Sequence, residues 1–184
     1  MRTALLAATA AVVFAAFSVD AATGAGTSPW LPYVAPVAVC PGSDDVSSAP
    51  KAQKRAMMCL VNWTRGHIGL RRLRWSKTLA YAAGSKADTI ARCGDFSHHP
   101  CGTRWPAMTT QKRRYSIFGE NLFYGSKPIA SPRAALLAWL ESPEHRAILF
   151  GRPWRDLGVT VHYARALDGN LRVSIWVLEV AGRT

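Results

Sequence analysis

The sequence predicts an α+β fold in which a small antiparallel sheet lies between layers of helices. Residues 51–66 and 76–92 repeat apolar side chains at three- and four-residue steps, as amphipathic helices do. Residues 157–164 and 171–180 are rich in β-branched and aromatic side chains, which are typical of strands. Both faces of these two strands are apolar, and this predicts that helices cover the sheet on each side.

The N-terminal residues have the pattern of a secretory leader. One early charge, Arg2, precedes an unbroken apolar run, and Val-Asp-Ala at 19–21 offers small residues to a signal peptidase. Because the run is too short to span a bilayer comfortably, we predict a cleaved signal peptide over 1–21 rather than a membrane anchor. Residues 22–50, rich in Pro, Gly, Ser and Ala, are expected to form an extended segment before a main domain at 51–184.

The four cysteines of an exported chain are expected to form disulfides, because the compartment is oxidising. Four cysteines allow three connectivities. Cys93 and Cys101 lie close in sequence and enclose His98, so we pair them, which leaves Cys40 with Cys59. A zinc site made of the cysteines is disfavoured, since there is no Cys-x-x-Cys and the separations are irregular.

The net charge of +12 bears on the partners of the protein. Basic residues occur in short clusters: Lys51, Lys54 and Arg55; Arg71, Arg72 and Arg74; Lys112, Arg113 and Arg114. Such clusters either form solvated faces or attract anionic envelope polymers or lipid headgroups. Nucleic acid is not an expected partner, because no groove-reading motif is present. We expect a monomer without a transmembrane anchor.

The individual elements follow from local signals. The first helix is expected to stop at Gly66, and Ser76 is a good N-cap for the second. Residues 93–105 read as a loop, since Pro100 disfavours helix at the residue before it. Later, Ser131 and Ser142 each precede a proline, and each pair predicts a helix start. The Asp-Gly at 168–169 predicts a two-residue hairpin turn between the last two strands.

One acid stands in an otherwise apolar strand. Residues 118–125 read Phe-Gly-Glu-Asn-Leu-Phe-Tyr-Gly, a short run that predicts a buried strand containing Glu120. Burying an unpaired carboxylate costs several kcal/mol, so Glu120 needs partners. We expect these to be His98 and His145. His145 falls in the first turn of a helix, where free N–H groups and the dipole favour the neutral imidazole.

Several blocks of the sequence resemble the CAP superfamily (cysteine-rich secretory, antigen-five and pathogenesis-related proteins), in its bacterial branch of SCP-like extracellular proteins. These blocks are Gly-Leu-x-x-Leu-x-Trp-Ser at 69–76, Phe-Ser-His at 96–98, Gly-Glu-Asn-Leu at 119–122, Trp-Leu-x-Ser-Pro-x-His-Arg at 139–146 and Leu-Gly-Val at 157–159. The resemblance implies an α-β-α sandwich and a cleft lined by two histidines and two glutamates. By matching blocks, His98, Glu120 and His145 look like three of these residues.

The fourth member of that cleft has no secure counterpart, and Glu141 and Glu144 are the candidate substitutes. If the loop register differs, His99 takes the place of His98. Two imidazoles and a carboxylate could bind Zn²⁺ or another divalent ion and leave one coordination position vacant. The same three side chains could also serve only to fix loop, strand and helix relative to one another.

Two functions are therefore predicted. The first is a secreted, non-enzymatic binding module that holds a metal ion, a lipid-like molecule or an envelope component in the His/Glu cleft. The alternative is a metal-dependent extracellular hydrolase acting on peptides or cell-wall material, with Glu120 as base or ligand. No competing catalytic motif is present: the sequence has no Gly-x-Ser-x-Gly, no His-Glu-x-x-His and no phosphate-binding glycine loop.

Overall fold

The computed structural model describes residues 28–104, 114–127 and 129–183. The predicted leader lies outside these residues, as do Lys112 and Arg113 of the third basic cluster. The helices are α1 (Pro50–His67), α2 (Lys77–Cys93), α3 (Pro132–Glu141) and α4 (Pro143–Leu149). The strands are β1 (Arg74–Trp75), β2 (Ile117–Ser126), β3 (Trp154–Leu167) and β4 (Asn170–Gly182). Short 3-10 turns lie at Leu31–Tyr33 and Pro100–Gly102.

The sheet has the order β1-β3-β4-β2. The long strands β2, β4 and β3 pair antiparallel, as predicted. The two-residue strand β1 pairs parallel with β3, so the sheet is mixed, and β1 was not predicted. The turn between β3 and β4 is the predicted Asp168-Gly169, and both residues have positive φ, as a tight hairpin turn requires.

Helices cover both faces of the sheet, so the predicted sandwich is confirmed. On one face, α1, α3 and α4 pack on alternate residues of β4, of which Trp176, Leu178 and Val180 are buried. On the other face, α2 packs on the intervening residues, such as Ile175 and Val177. Because successive side chains of a strand point to opposite faces, β4 contributes to both cores.

The helix α2 approaches the sheet closely at Gly158 of β3. A Cβ atom at this position would lie 2.0 Å from the backbone nitrogen of Ala80. Glycine is therefore the residue that allows the backbone of α2 to approach so near. This close contact sets how far side chains on α2 reach over the sheet.

Both disulfides join the predicted partners. Cys40–Cys59 ties the segment before α1 to that helix, and Cys93–Cys101 closes the loop after α2. In the described part of the N-terminal segment, Val34 and Ala35 are buried in the main core, and Trp30 packs against it. Among the described residues, no helix is long and apolar enough to cross a membrane.

Candidate functional site

Glu120 lies in β2, the edge strand of the sheet, and faces the α2 layer. Its side chain is only 1% exposed. The Oε1 atom lies 2.6 Å from Nδ1 of His98 and 3.5 Å from Nζ of Lys86. The acid in the apolar strand therefore has partners, as the sequence required, but one of the two is a lysine that the sequence analysis did not single out.

Lys86 is the functional residue that sequence reasoning missed. It lies in the middle of α2 and its side chain is also 1% exposed. Its ammonium group donates to the backbone carbonyl of His98 as well as pairing with Glu120. A signal was present: Lys86 falls within the apolar stripe of α2, three residues after Ala83 and four before Ile90, both of which are buried. A lysine at such a position needs a buried anion.

His98 is presented by the small loop that the Cys93–Cys101 disulfide closes. The carboxylate of Asp95 accepts a hydrogen bond of 2.9 Å from the backbone N–H of Cys101, which further orders the loop. The ring of His98 is half exposed, with 52% of the side chain accessible. Because the Glu120 carboxylate is an acceptor, Nδ1 carries the hydrogen of this contact, and Nε2 is not used by it.

His145 begins α4 from the opposite helical layer. Its Nδ1 atom lies 2.8 Å from the Ser142 hydroxyl, which donates its own hydrogen to the Glu144 carboxylate at 3.0 Å. The hydroxyl can therefore only accept from His145, so the hydrogen of the neutral ring is on Nδ1 and Nε2 has a free lone pair. Burial, and next the positive charge of His98, lower the pKa of His145 below 6.5, while Glu144 opposes this. The ring is neutral at physiological pH.

The two histidines line one cleft at the open edge of β2. It has a volume of about 560 Å³, and its wall includes His99, Phe118, Asn121, Glu144 and Ile148. Asn121 faces the α4 side and donates to the backbone carbonyl of His145, which fixes α4 against the strand. Glu144 lines the cleft but is exposed, and Glu141 is exposed and does not line it. His99 is exposed and its Nδ1 atom lies 3.1 Å from the Thr103 carbonyl rather than near Glu120.

The family model for the cysteine-rich secretory protein family, CAP, matches residues 58–180. The chain belongs to the CAP family. The match covers α2, the His98 loop, β2, α3, α4 and most of the hairpin, which are the elements that build the cleft. No curated protein matches the chain.

Solved structures of bacterial CAP domains share the fold. An extracellular protein with an SCP domain from Bacillus anthracis has 23% identity and a TM-score of 0.56, over 73% of this chain and 44% of its own. An outer surface protein from Borrelia burgdorferi has 19% identity and a TM-score of 0.59, over 73% of this chain and 95% of its own. A cysteine-rich secretory protein from Staphylococcus aureus has 15% identity and a TM-score of 0.54, over 74% of this chain and 40% of its own. This chain thus spans less than half of two of these proteins.

The arrangement of the side chains in this CAP cleft bears on the predicted metal site. Among the described residues, no group of three His, Cys, Asp or Glu side chains is arranged to hold a metal ion. Glu120 is buried and forms an ion pair with the ammonium group of Lys86. The lysine therefore already provides the positive charge that a bound metal ion would provide to a carboxylate ligand. The Nε2 atoms of His98 and His145 are left, and two protein donors are fewer than zinc sites in proteins normally use.

A second buried glutamate lies beside the first. Glu179 of β4 is directly opposite Glu120 in the β2–β4 pairing and is fully buried. Neighbouring side chains of this kind share one face of the sheet, so both acids point toward α2. The positive charge of Lys86 therefore enters a region that holds two carboxyl groups.

Proposed function

We propose that this CAP domain is an extracellular, non-enzymatic binding module whose ligand contacts His98 and His145. The observation that carries the proposal is the burial of Glu120 together with Lys86, each side chain 1% exposed and 3.5 Å apart. A catalytic base must come within hydrogen-bond reach of the group from which it takes a proton. A carboxylate that is buried and ion-paired instead acts as a fixed counter-charge that orients the His98 ring.

An extracellular location is supported by two observations. The disulfides Cys40–Cys59 and Cys93–Cys101 are stable where the compartment is oxidising. The structural neighbours include an extracellular protein and an outer surface protein. Both agree with the leader that the sequence predicts at 1–21.

The lining of the cleft supports a ligand with an apolar part and a polar head. Phe118 and Ile148 form apolar walls, while His98 and His145 each use Nδ1 for an internal hydrogen bond, which leaves Nε2 for a polar group of a ligand. A lipid-like molecule or an envelope component has this mixed character, as ligands of apolar clefts with a few polar groups generally do.

A divalent ion such as Zn²⁺ is the second candidate ligand. It is favoured by one observation: both histidines use Nδ1 for internal hydrogen bonds, to Glu120 and to Ser142, which is how metal-binding histidines are usually oriented. The binding module is better supported than a hydrolase, because the hydrolase would have to use the buried Glu120 as base or ligand.

The test compares the wild type with Glu120→Gln and His145→Ala, with His162→Ala as the matched control. His162 lies in β3 and pairs with Asp88, away from the cleft. Binding of Zn²⁺ is measured by calorimetry and binding of a dansylated fatty acid by fluorescence. Turnover of casein and of labelled peptidoglycan is measured with and without chelator.

We expect at least one probe to bind the wild type and the His162→Ala control, and His145→Ala to weaken that binding about tenfold, the worth of one good hydrogen bond to the ligand. No chelator-sensitive turnover is expected. Turnover that disappears with chelator and with Glu120→Gln, while circular dichroism shows an intact fold, would reject the binding module in favour of the hydrolase. Binding that is equal in His145→Ala and His162→Ala would place the ligand elsewhere.

A further inference from the structure

A second and larger cleft lies at the opposite end of the sheet from His98 and His145. Its volume is about 730 Å³, and it is bounded by residues 46–50, by Ser126 and Lys127 at the end of β2, and by the β3–β4 hairpin. Ser126 is six residues beyond Glu120 along β2, which places the two clefts roughly 20 Å apart at the rise of a strand. We call this the hairpin cleft.

The hairpin cleft is lined by three cations and by no carboxylate. Lys127, Arg165 and Arg172 line it together with the hydroxyls of Ser47, Ser48 and Tyr163. None of the three cations forms an ion pair within the described part of the chain. Asp45 directly precedes the lining segment 46–50, and its Oδ1 atom accepts hydrogen bonds from Ser47 and Ser48. The cleft therefore has a net positive charge.

Two of these arginines are held in an unfavourable arrangement. Arg165 and Arg172 both lie between the cross-strand pairs Ala164–Val173 and Ala166–Leu171, so they are neighbours across β3 and β4. Like charges at opposing positions destabilise an antiparallel pair. Arg172 also has a φ of 54°, in the left-handed region that residues other than glycine rarely adopt. Such strain is concentrated at functional sites, and an anion between the two guanidinium groups would relieve the repulsion.

A second cationic groove begins at the next residues of the chain. Lys51, Lys54 and Arg55 of α1 line it together with Met58 and the half-exposed Trp75 of β1, around a volume of about 310 Å³. The first turn of α1 contains no acidic residue. Lys51 lies in that first turn, where the helix dipole opposes a cation, so its position is unfavourable for the helix itself. Ala49 and Pro50 line the hairpin cleft, and the next residue of the chain, Lys51, lines this α1 groove.

We propose that the hairpin cleft and the α1 groove together bind a linear acidic polymer that carries phosphate or carboxylate groups. Guanidinium groups pair with both kinds of anion in a bidentate manner. A polymer is favoured over a single small anion because the two cationic sites flank one helix start, and a chain that reaches both gains from simultaneous contacts. This surface is separate from the His98 cleft and does not depend on how that cleft functions.

The test uses three probes: labelled long-chain polyphosphate, polygalacturonate and neutral dextran. Phosphatidylcholine vesicles with and without phosphatidylglycerol separate a soluble polymer from a lipid headgroup as the source of phosphate. The cleft variant is Lys127→Gln/Arg165→Gln/Arg172→Gln and the groove variant is Lys54→Gln/Arg55→Gln. The control is Arg92→Gln/Arg152→Gln/Arg155→Gln, which removes the same charge from exposed positions that line neither site.

We expect wild type and control to bind polyphosphate or polygalacturonate but not dextran, with affinity that falls as salt rises. The cleft variant should lose affinity about tenfold or more, and the groove variant should lose affinity as well, since one charge-assisted hydrogen bond is worth about a factor of ten. Equal losses in the control and cleft variants would show that only net charge matters and would overturn the proposal. Binding to phosphatidylglycerol vesicles without binding to either polymer would overturn it too. Thermal melts confirm that each variant is folded.

Discussion

The buried ion pair between Lys86 and Glu120 makes a strong prediction about stability. Lys86→Met keeps the length of the side chain and removes its charge, which leaves the Glu120 carboxylate buried with its hydrogen bond to His98. Removing one partner of a buried pair costs about 3–5 kcal/mol. Because the His98 hydrogen bond persists, we expect the lower end, about 3 kcal/mol. For a domain of this size that corresponds to a fall in Tm of roughly 6–12 °C.

The double variant distinguishes a true pair from two independent side chains. Glu120→Gln alone should also destabilise the domain, because the buried ammonium group of Lys86 then loses the carboxylate with which it forms an ion pair. In Lys86→Met/Glu120→Gln both members of the pair are removed, so neither is left without the other. The double variant should therefore be less destabilised than the sum of the single variants by at least about 2 kcal/mol.

The assay is urea denaturation at pH 7.5 with the disulfides intact, followed by far-ultraviolet circular dichroism. The matched control is Lys77→Met, the same substitution on an exposed lysine of the same helix, for which we expect a change within about 0.5 kcal/mol. Single effects that add to within about 0.5 kcal/mol, or a Lys86→Met effect no larger than the control, would refute the pairing.

Three further predictions concern the cleft and its loop. His98→Asn should raise the pKa of His145, because the positive charge of His98 is the second-largest cause, after burial, of the lowered pKa. An unchanged pKa of His145 in an NMR titration would contradict this. Since the folded pKa of His145 is below its unfolded value of about 6.5, the unfolded chain binds the proton first, and stability should fall as pH drops below about 6.5. His145→Gln should flatten that dependence in urea titrations at pH 7.5 and 5, and equal slopes would argue against it. Cys93→Ser/Cys101→Ser should cost about 2.5 kcal/mol and Cys40→Ser/Cys59→Ser about 3 kcal/mol, since the second bridge closes the longer loop; the reverse order in denaturation would count against loop entropy as the cause.

Local signals predicted the elements well because their causes are local. Ser76, Ser131 and Ser142 each accept the backbone hydrogen bond expected of an N-cap, from Leu79, Ala134 and His145. The first helix continues to His67, one residue past the predicted stop at Gly66, as helix ends commonly do. β1 could not be predicted, since two residues carry no periodicity and the strand exists only through its pairing with β3.

The candidate site was predictable in part. A buried carboxylate needs partners, and this led to the prediction of His98, whose ring contacts Glu120 in the structure. Lys86 was missed because an isolated lysine in a helix is normally solvated. Which residue of α2 lies over Glu120 depends on the packing of helix on sheet, which is long-range information. Glu141 was a candidate for the fourth residue of the cleft, yet it lies at the exposed end of α3, outside the cleft.

Gly158 bears on the Lys86–Glu120 pair indirectly, through the position of α2 on the sheet. The backbone of α2 rests directly on Gly158, where even a methyl group would lie 2.0 Å from Ala80. Adding that methyl would act as a wedge between helix and sheet, six residues along α2 from Lys86. We expect the distance between Lys86 and Glu120 to increase, so a residue without a functional group would affect how well the buried carboxylate is neutralised.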